Sequence, residues 1–157
     1  MLLIIGFLFM VFILAIVGTL SGLLTMFIDL PSILLILVPL LFFFFTSKSG
    51  NILGNYIKAS FKKEHIYTET ELAAFSVAIK NTIKFILAVG GFGFFSGILA
   101  SLVNLENKEM LGPNLALSLL AFLYAIAVSV FIFLPTQAWA ENKINMLKQN
   151  GVRSNGA

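Results

Sequence analysis

The chain has 157 residues, of which 59% are hydrophobic and only 11% charged, with a mean hydropathy of +1.02. A soluble domain needs roughly a quarter of its residues charged to keep its surface wet, so this composition excludes a water-solvated globule and points to a membrane protein. The net charge of +3 comes from basic residues scattered at the edges of apolar runs, not interleaved with stacking aromatics, which excludes a nucleic-acid surface, and the absence of cysteine excludes disulfides and thiolate metal sites.

The first apolar run covers residues 2–28 without a charge, and at 1.5 Å per residue it is long enough to span a hydrocarbon core of about 30 Å. No basic residue precedes it. The small residues Gly18, Thr19, Ser21 and Gly22 keep a cleaved signal peptide as the alternative reading, and a retained span is expected. Asp29-Leu30-Pro31-Ser32 reads as a short hairpin turn, with Asp29 capping the second span. That span is expected over 32–50: its apolar core ends in four phenylalanines at 42–45, and the helix is expected to continue through Ser47-Lys48-Ser49-Gly50 towards Ile57. Lys48 can reach the interface with its long stem.

A polar segment follows. Thr68-Glu69-Thr70-Glu71 has the T-x-x-E form of a capping box, and the helix it starts is expected to run into the third apolar span, 81–103. A short break leads to Gly112-Pro113, expected in the first turn of the fourth span, 112–135. Pro135 then ends or kinks that helix, Trp139 anchors at the interface, and 136–157 is a polar tail whose last residues, 153–157, are expected to be disordered.

The fold class expected is therefore all-α: a four-helix transmembrane protein forming one domain over 1–157, with a short helical cytoplasmic loop over 51–80. Orientation follows from Lys and Arg placement. Lys48, Lys58, Lys62, Lys63, Lys80 and Lys84 lie in the middle segment and Lys143, Lys148 and Arg153 in the tail, whereas the two short turns carry only Lys108. This bias puts the loop, the tail and, with an even number of spans, the N-terminus in the cytoplasm.

The spans differ in character. The second is bulky throughout, which suits lipid. The third carries Ala88, Gly90, Gly91, Gly93, Ser96, Gly97, Ala100 and Ser101, with Gly93 and Gly97 in G-x-x-x-G spacing. The fourth has a milder version in Ala116, Ser118, Ala121, Ala125, Ala127 and Ser129. Small residues let backbones approach where lipid is as apolar as leucine, either within one subunit or between subunits. Gly90, Gly93, Gly97, Ala121 and Ala125 are the candidates for such packing in an oligomer.

Short motifs across the spans carry a resemblance. Gly91-Phe92-Gly93, Asn104-Leu105, Leu111-Gly112-Pro113, Leu123-Tyr124-Ala125 and Phe133-Leu134-Pro135, with Phe27-Ile28-Asp29-Leu30-Pro31-Ser32 earlier, resemble the MotA/TolQ/ExbB proton-channel family, nearest to a compact MotA-like stator A-subunit. The resemblance implies a homopentamer in a bacterial inner membrane, multi-pass with both termini cytoplasmic. Its third and fourth helices would enclose single-span B-subunits carrying a membrane aspartate, and ion flow would drive rotation. Ser96, Gly97, Ser101, Tyr124 and Pro135 become the ion-path or pore-lining candidates. The family proline at the start of the third helix falls on Gly90, its hydroxyl positions fall on Gly97 beside Ser96 and on Ala121-Phe122, and the large torque-transmitting domain is missing. Flagellar torque is therefore not expected.

No carboxylate lies in the centre of a span, so no proton relay is expected from this chain alone. His65, the only histidine, has no companion ligands, and no metal site is expected. Glu106 and Glu109 flank an outer turn and are expected to be solvated, with attraction of cations to a pore mouth as the sharper reading. Neither a nucleophile–base constellation nor a phosphate-cradling glycine loop is present, so neither enzymatic activity nor a cofactor is expected.

Overall fold

The computed structural model describes residues 2–22, 29–60, 67–103, 105–106 and 108–155, and all regular structure in them is helical. The helices are α1 (Leu2–Ser21), α2 (Leu30–Thr46), α3 (Lys48–Ser60), α4 (Glu69–Val103), α5 (Lys108–Val128) and α6 (Leu134–Asn155), with a π turn, Ser129–Phe133, joining α5 to α6. Among the described residues, two helices are long and apolar enough to cross a membrane: α4, and the continuous α5–π–α6 helix over Glu109–Gln149. The bent pair α2–α3 makes a third if it counts as one span, and the apolar stretch of α1, Ile4–Leu20, is shorter.

The start of α4 follows its sequence signal. Thr68 Oγ1 accepts from the Glu71 N–H at 3.3 Å, and the Glu71 carboxylate accepts from the Thr68 N–H at 3.0 Å, so two otherwise orphaned donors are satisfied reciprocally. From there α4 runs 35 residues without interruption, as expected. At the start of α2, Asp29 Oδ2 accepts from the Ser32 N–H at 2.9 Å, and Pro31 sits in the first turn where no N–H is needed.

Other boundaries differ from expectation. The second span does not continue into 47–57. It ends at Thr46, Ser47 is extended (φ −96°, ψ 147°), and α3 leaves at 92° to α2. Gly50 permits the corner, because a Cβ there would overlap the Phe44 carbonyl oxygen. α5 begins at Lys108, about a turn before Gly112, so Pro113 lies inside the helix. Pro135 does not end the fourth span; the chain passes it through the π turn and stays helical to Asn155, beyond the expected start of disorder.

Helix α4 is the axis of the fold. It packs along α5 and then α6 on one side, while α2 lies against both α4 and α5. The densest core is in the half of α4 nearer its N-terminus. Leu72, Phe75, Ile79, Thr82 and Ile86, at alternating spacings of three and four, are at most 2% exposed, and Phe75, Ile79 and Ile86 cluster with Phe133 and Ala140, with Leu53 of α3 completing the group. Phe43 of α2 stacks on Phe85 at 4.4 Å between ring centroids. Beyond the apolar part, α4 and α6 remain paired: Ser76 Oγ donates to Glu141 at 3.1 Å, and Lys148 lies 3.4 Å from Glu69. The exposed Glu69–Lys148 pair contributes at most about 1 kcal/mol. Helix α1 sits apart, touching the π turn, α5 and α6 but neither α2 nor α4 among the described residues.

Candidate functional site: the seam between α4 and α5

The small residues of α4 meet those of α5 in an antiparallel seam. A Cβ on Gly90 would overlap the Ala125 methyl, one on Gly93 would lie 3.2 Å from Ala121 Cβ and 2.7 Å from a Leu35 methyl, and one on Gly97 would overlap Ser118. Gly90, Gly93, Ala121 and Ala125 are buried, and Gly97 is partly so. The five residues expected to hold an oligomer together thus pack against one another, or against Ser118 and Leu35, within a single chain. That face is occupied within the chain. The G-x-x-x-G spacing marked a close approach correctly, but the helix it approaches is the next one along the chain.

The ion-path candidates are not gathered in one place. Ser101 is 3% exposed on the seam, and its hydroxyl donates to the Gly97 carbonyl at 3.0 Å. Ser118, also 3% exposed, donates to the Leu115 carbonyl at 2.7 Å. Ser96 lies on another face and bonds back to Phe92 O at 2.8 Å. Tyr124 is half-buried on the α2 side and meets the backbone of Asp29. Pro135 is exposed beyond the π turn. The seam hydroxyls give their protons to carbonyls of their own helices.

The polar start of α2 lies deeper than the sequence suggested. Ser32 is 5% exposed and its Oγ donates to Leu117 O at 3.4 Å. Leu117 is nine residues into α5, so α2 begins about 13 Å along α5 from its first residue. Asp29, Ser32 and Tyr124 therefore form a polar cluster recessed from the α4–α5 turn, although Asp29 was expected at the end of a hairpin. Pairing across helices 85 residues apart left no local signal. Below the cluster, a groove of about 490 Å³ between α2 and α4 is lined by apolar side chains including Leu35, Pro39, Ala88 and Phe92.

In the polar part of α6, past the apolar stretch that ends near Pro135, hydrogen bonds from Gln137 and Ser76, with Lys80 nearby, hold the exposed Glu141 carboxyl below its ordinary range. Glu106 and Glu109 are both exposed at the α4–α5 turn. His65 falls outside the described residues, and no group of three or more potential metal ligands occurs among the described ones.

Much of the apolar surface is uncovered. Phe92, Phe95 and Leu99 of α4 are 71%, 64% and 62% exposed, and Leu119 of α5 is 58% exposed. Exposed aromatic and aliphatic residues in this density require lipid or protein against them. The chain matches no known protein family, curated protein or solved structure.

Proposed function

We propose that the chain is the multi-pass subunit of an ion-driven membrane complex of the MotA/TolQ/ExbB kind. In this reading it has four spans with both termini and α3 on the cytoplasmic side, sits in a bacterial inner membrane, and assembles as a homopentamer around a single-span partner that brings a membrane aspartate. The observation that carries the reading is the contrast between the closed seam and the uncovered outer faces. Within the chain, glycine meets alanine and hydroxyls bond to their own helices, so no acid–base chain runs along α4 and α5. The large apolar residues on their other faces are available to lipid, to further copies and to a partner helix. With the glycine face occupied, contacts between copies in such a ring would be made by these bulky faces.

The self-satisfied hydroxyls also favour a second reading, a non-conducting membrane scaffold or interaction protein. One experiment separates the two. The protein is placed in liposomes with an imposed potential, and dye-reported proton uptake is measured with and without a co-purifying single-span partner; imaging of the same complex gives the subunit number. Uptake that appears only with the partner supports the ion-driven subunit. Tight vesicles with every co-purifying partner support the scaffold, and sustained flux by the chain alone refutes the dependence on a partner acid.

A further inference from the structure

The π turn carries costs that nothing within its own helix offsets. Pro135 has no N–H to give to the Phe131 carbonyl four residues back. The Leu134 N–H reaches back five residues to Ser129 O. The Ser129 hydroxyl is 2% exposed and has no hydrogen-bond partner among the described residues, whereas Thr82, Ser101 and Thr136 each bond to the carbonyl four residues before them. An unsatisfied polar group in a buried, lipid-surrounded position is expensive, and a π turn persists only where something else favours it.

Helix α1 is seated on this turn. Gly6 comes so close that a Cβ would overlap the Phe131 carbonyl oxygen and lie 3.2 Å from Ile132 Cα. The Phe9 ring meets the Phe131 ring edge-on, at 5.8 Å and 70°. The Gly6 backbone thus covers the carbonyl that Pro135 leaves without its usual donor, and a Cα–H facing that oxygen is a weak but favourable contact. In an otherwise bulky apolar run, Gly6 is small where contact with a backbone demands it.

The turn also sets the phase of α6. A π turn amounts to one extra residue in the helix, and one residue is about 100° of rotation and 1.5 Å of rise. Ser118, Ala121, Ala125, Ser129, Phe133, Thr136 and Ala140 are all buried, and with the turn in place Ser76 reaches Glu141 and Glu69 reaches Lys148. Reversion of the turn to regular α geometry would rotate Thr136, Ala140 and Glu141 away from α4.

From these contacts we infer that α1 is a latch on the π turn, so that its seating and the pairing of α6 with α4 rise and fall together. A movement of α1 within the membrane is thereby transmitted through a change of helical register to the far end of the α4–α6 pair. This device is independent of the ion-driven reading and would operate equally in a scaffold.

The test uses the full chain in lipid nanodiscs carrying Glu69→Cys and Lys148→Cys, and reads the rate of disulfide formation between them and the amide exchange of residues 129–134. Gly6→Leu, which forces α1 off the turn, should slow disulfide formation several-fold and raise exchange about tenfold. Phe9→Ala, which removes the ring contact without overlap, should shift both in the same direction by less. Gly91→Ala, whose added methyl meets nothing within 4 Å, should change neither. Pro135→Ala restores an N–H to the turn and should leave Gly6→Leu with little further effect. If Gly6→Leu does not insert or fold, Phe9→Ala decides alone. The latch is overturned if both readouts stay within twofold of the parent in these α1 variants, or if Gly6→Leu acts equally strongly in the Pro135→Ala background.

Discussion

Gly97→Ala adds a single methyl at the tightest point of the seam. Its Cβ would overlap Ser118 Cβ, lie 3.1 Å from Ser118 Cα and 3.3 Å from Asn114 O, and two of those three neighbours are backbone atoms that cannot rotate away. Carbon atoms rest at about 3.5–4.0 Å, so α4 and α5 must part by several tenths of an ångström or more around Gly97. Parting also loosens Gly93 against Ala121 and Gly90 against Ala125. Overpacking of this kind costs about 1–3 kcal/mol, against a gain of up to about 1 kcal/mol from replacing glycine by alanine within a helix. The net expectation is a loss of about 1–2 kcal/mol. Gly91→Ala, in the same helix with nothing within 4 Å of the new methyl, receives only the gain. Reversible unfolding of the monomer in mixed micelles measures both, and their difference removes the contribution of propensity. Equal stability of the two variants would refute the intrachain seam. A Gly97→Ala protein whose monomer is unchanged but whose assembly fails would return the glycine face to a contact between subunits.

Asp29→Ala removes the side-chain acceptor for the Ser32 N–H and should cost about 1 kcal/mol in the same unfolding assay, with Asp29→Asn recovering most of it. Glu141 has its proton affinity lowered in the folded state. Its contribution to stability is therefore complete above its ordinary value near 4.5 and is lost as pH falls through the lower folded value. Glu141→Gln should remove that component of the acid limb of a thermal-unfolding profile, and an identical acid limb would contradict the linkage. Cysteines at Lys58 and Gln149 should resist an impermeant thiol reagent in intact cells while one at Glu106 reacts, and strong labelling at Lys58 would reverse the orientation drawn from the lysines.

What the sequence made legible was what short-range physics decides. The capping box at Thr68 and Glu71 needs only the four residues it contains, and the Asp29 cap needs three more residues of helix. The small-residue faces announced close helix packing because Gly90, Gly93 and Gly97 have few other uses in a span. Their partner was not legible, since one spacing serves a neighbouring helix and a second subunit equally well. The corner at Ser47 was missed for a related reason. Nothing in Thr46-Ser47-Lys48-Ser49-Gly50 forbids a helix, and the bend depends on Gly50 fitting against the Phe44 carbonyl. Pro135 was visible as a disturbance, but ending, kinking and π-turning are all ways of accommodating a proline. The choice among them was made with α1, some 125 residues away in sequence.

The same distinction bears on where function can reside. Chemistry in a membrane protein needs polar groups that its own fold leaves unsatisfied or a partner can reach. The α4–α5 seam offers neither, because Ser101 and Ser118 are buried and already bonded to their own helices. Two polar sites lie elsewhere, the recessed cluster of Asp29, Ser32 and Tyr124 and the Ser129 hydroxyl in the π turn. The first joins α2 to α5, and the second lies in the turn on which α1 is seated. Both therefore lie where a flanking helix meets the long central pair. A partner helix bringing a carboxylate would find no free hydroxyl donor along the seam.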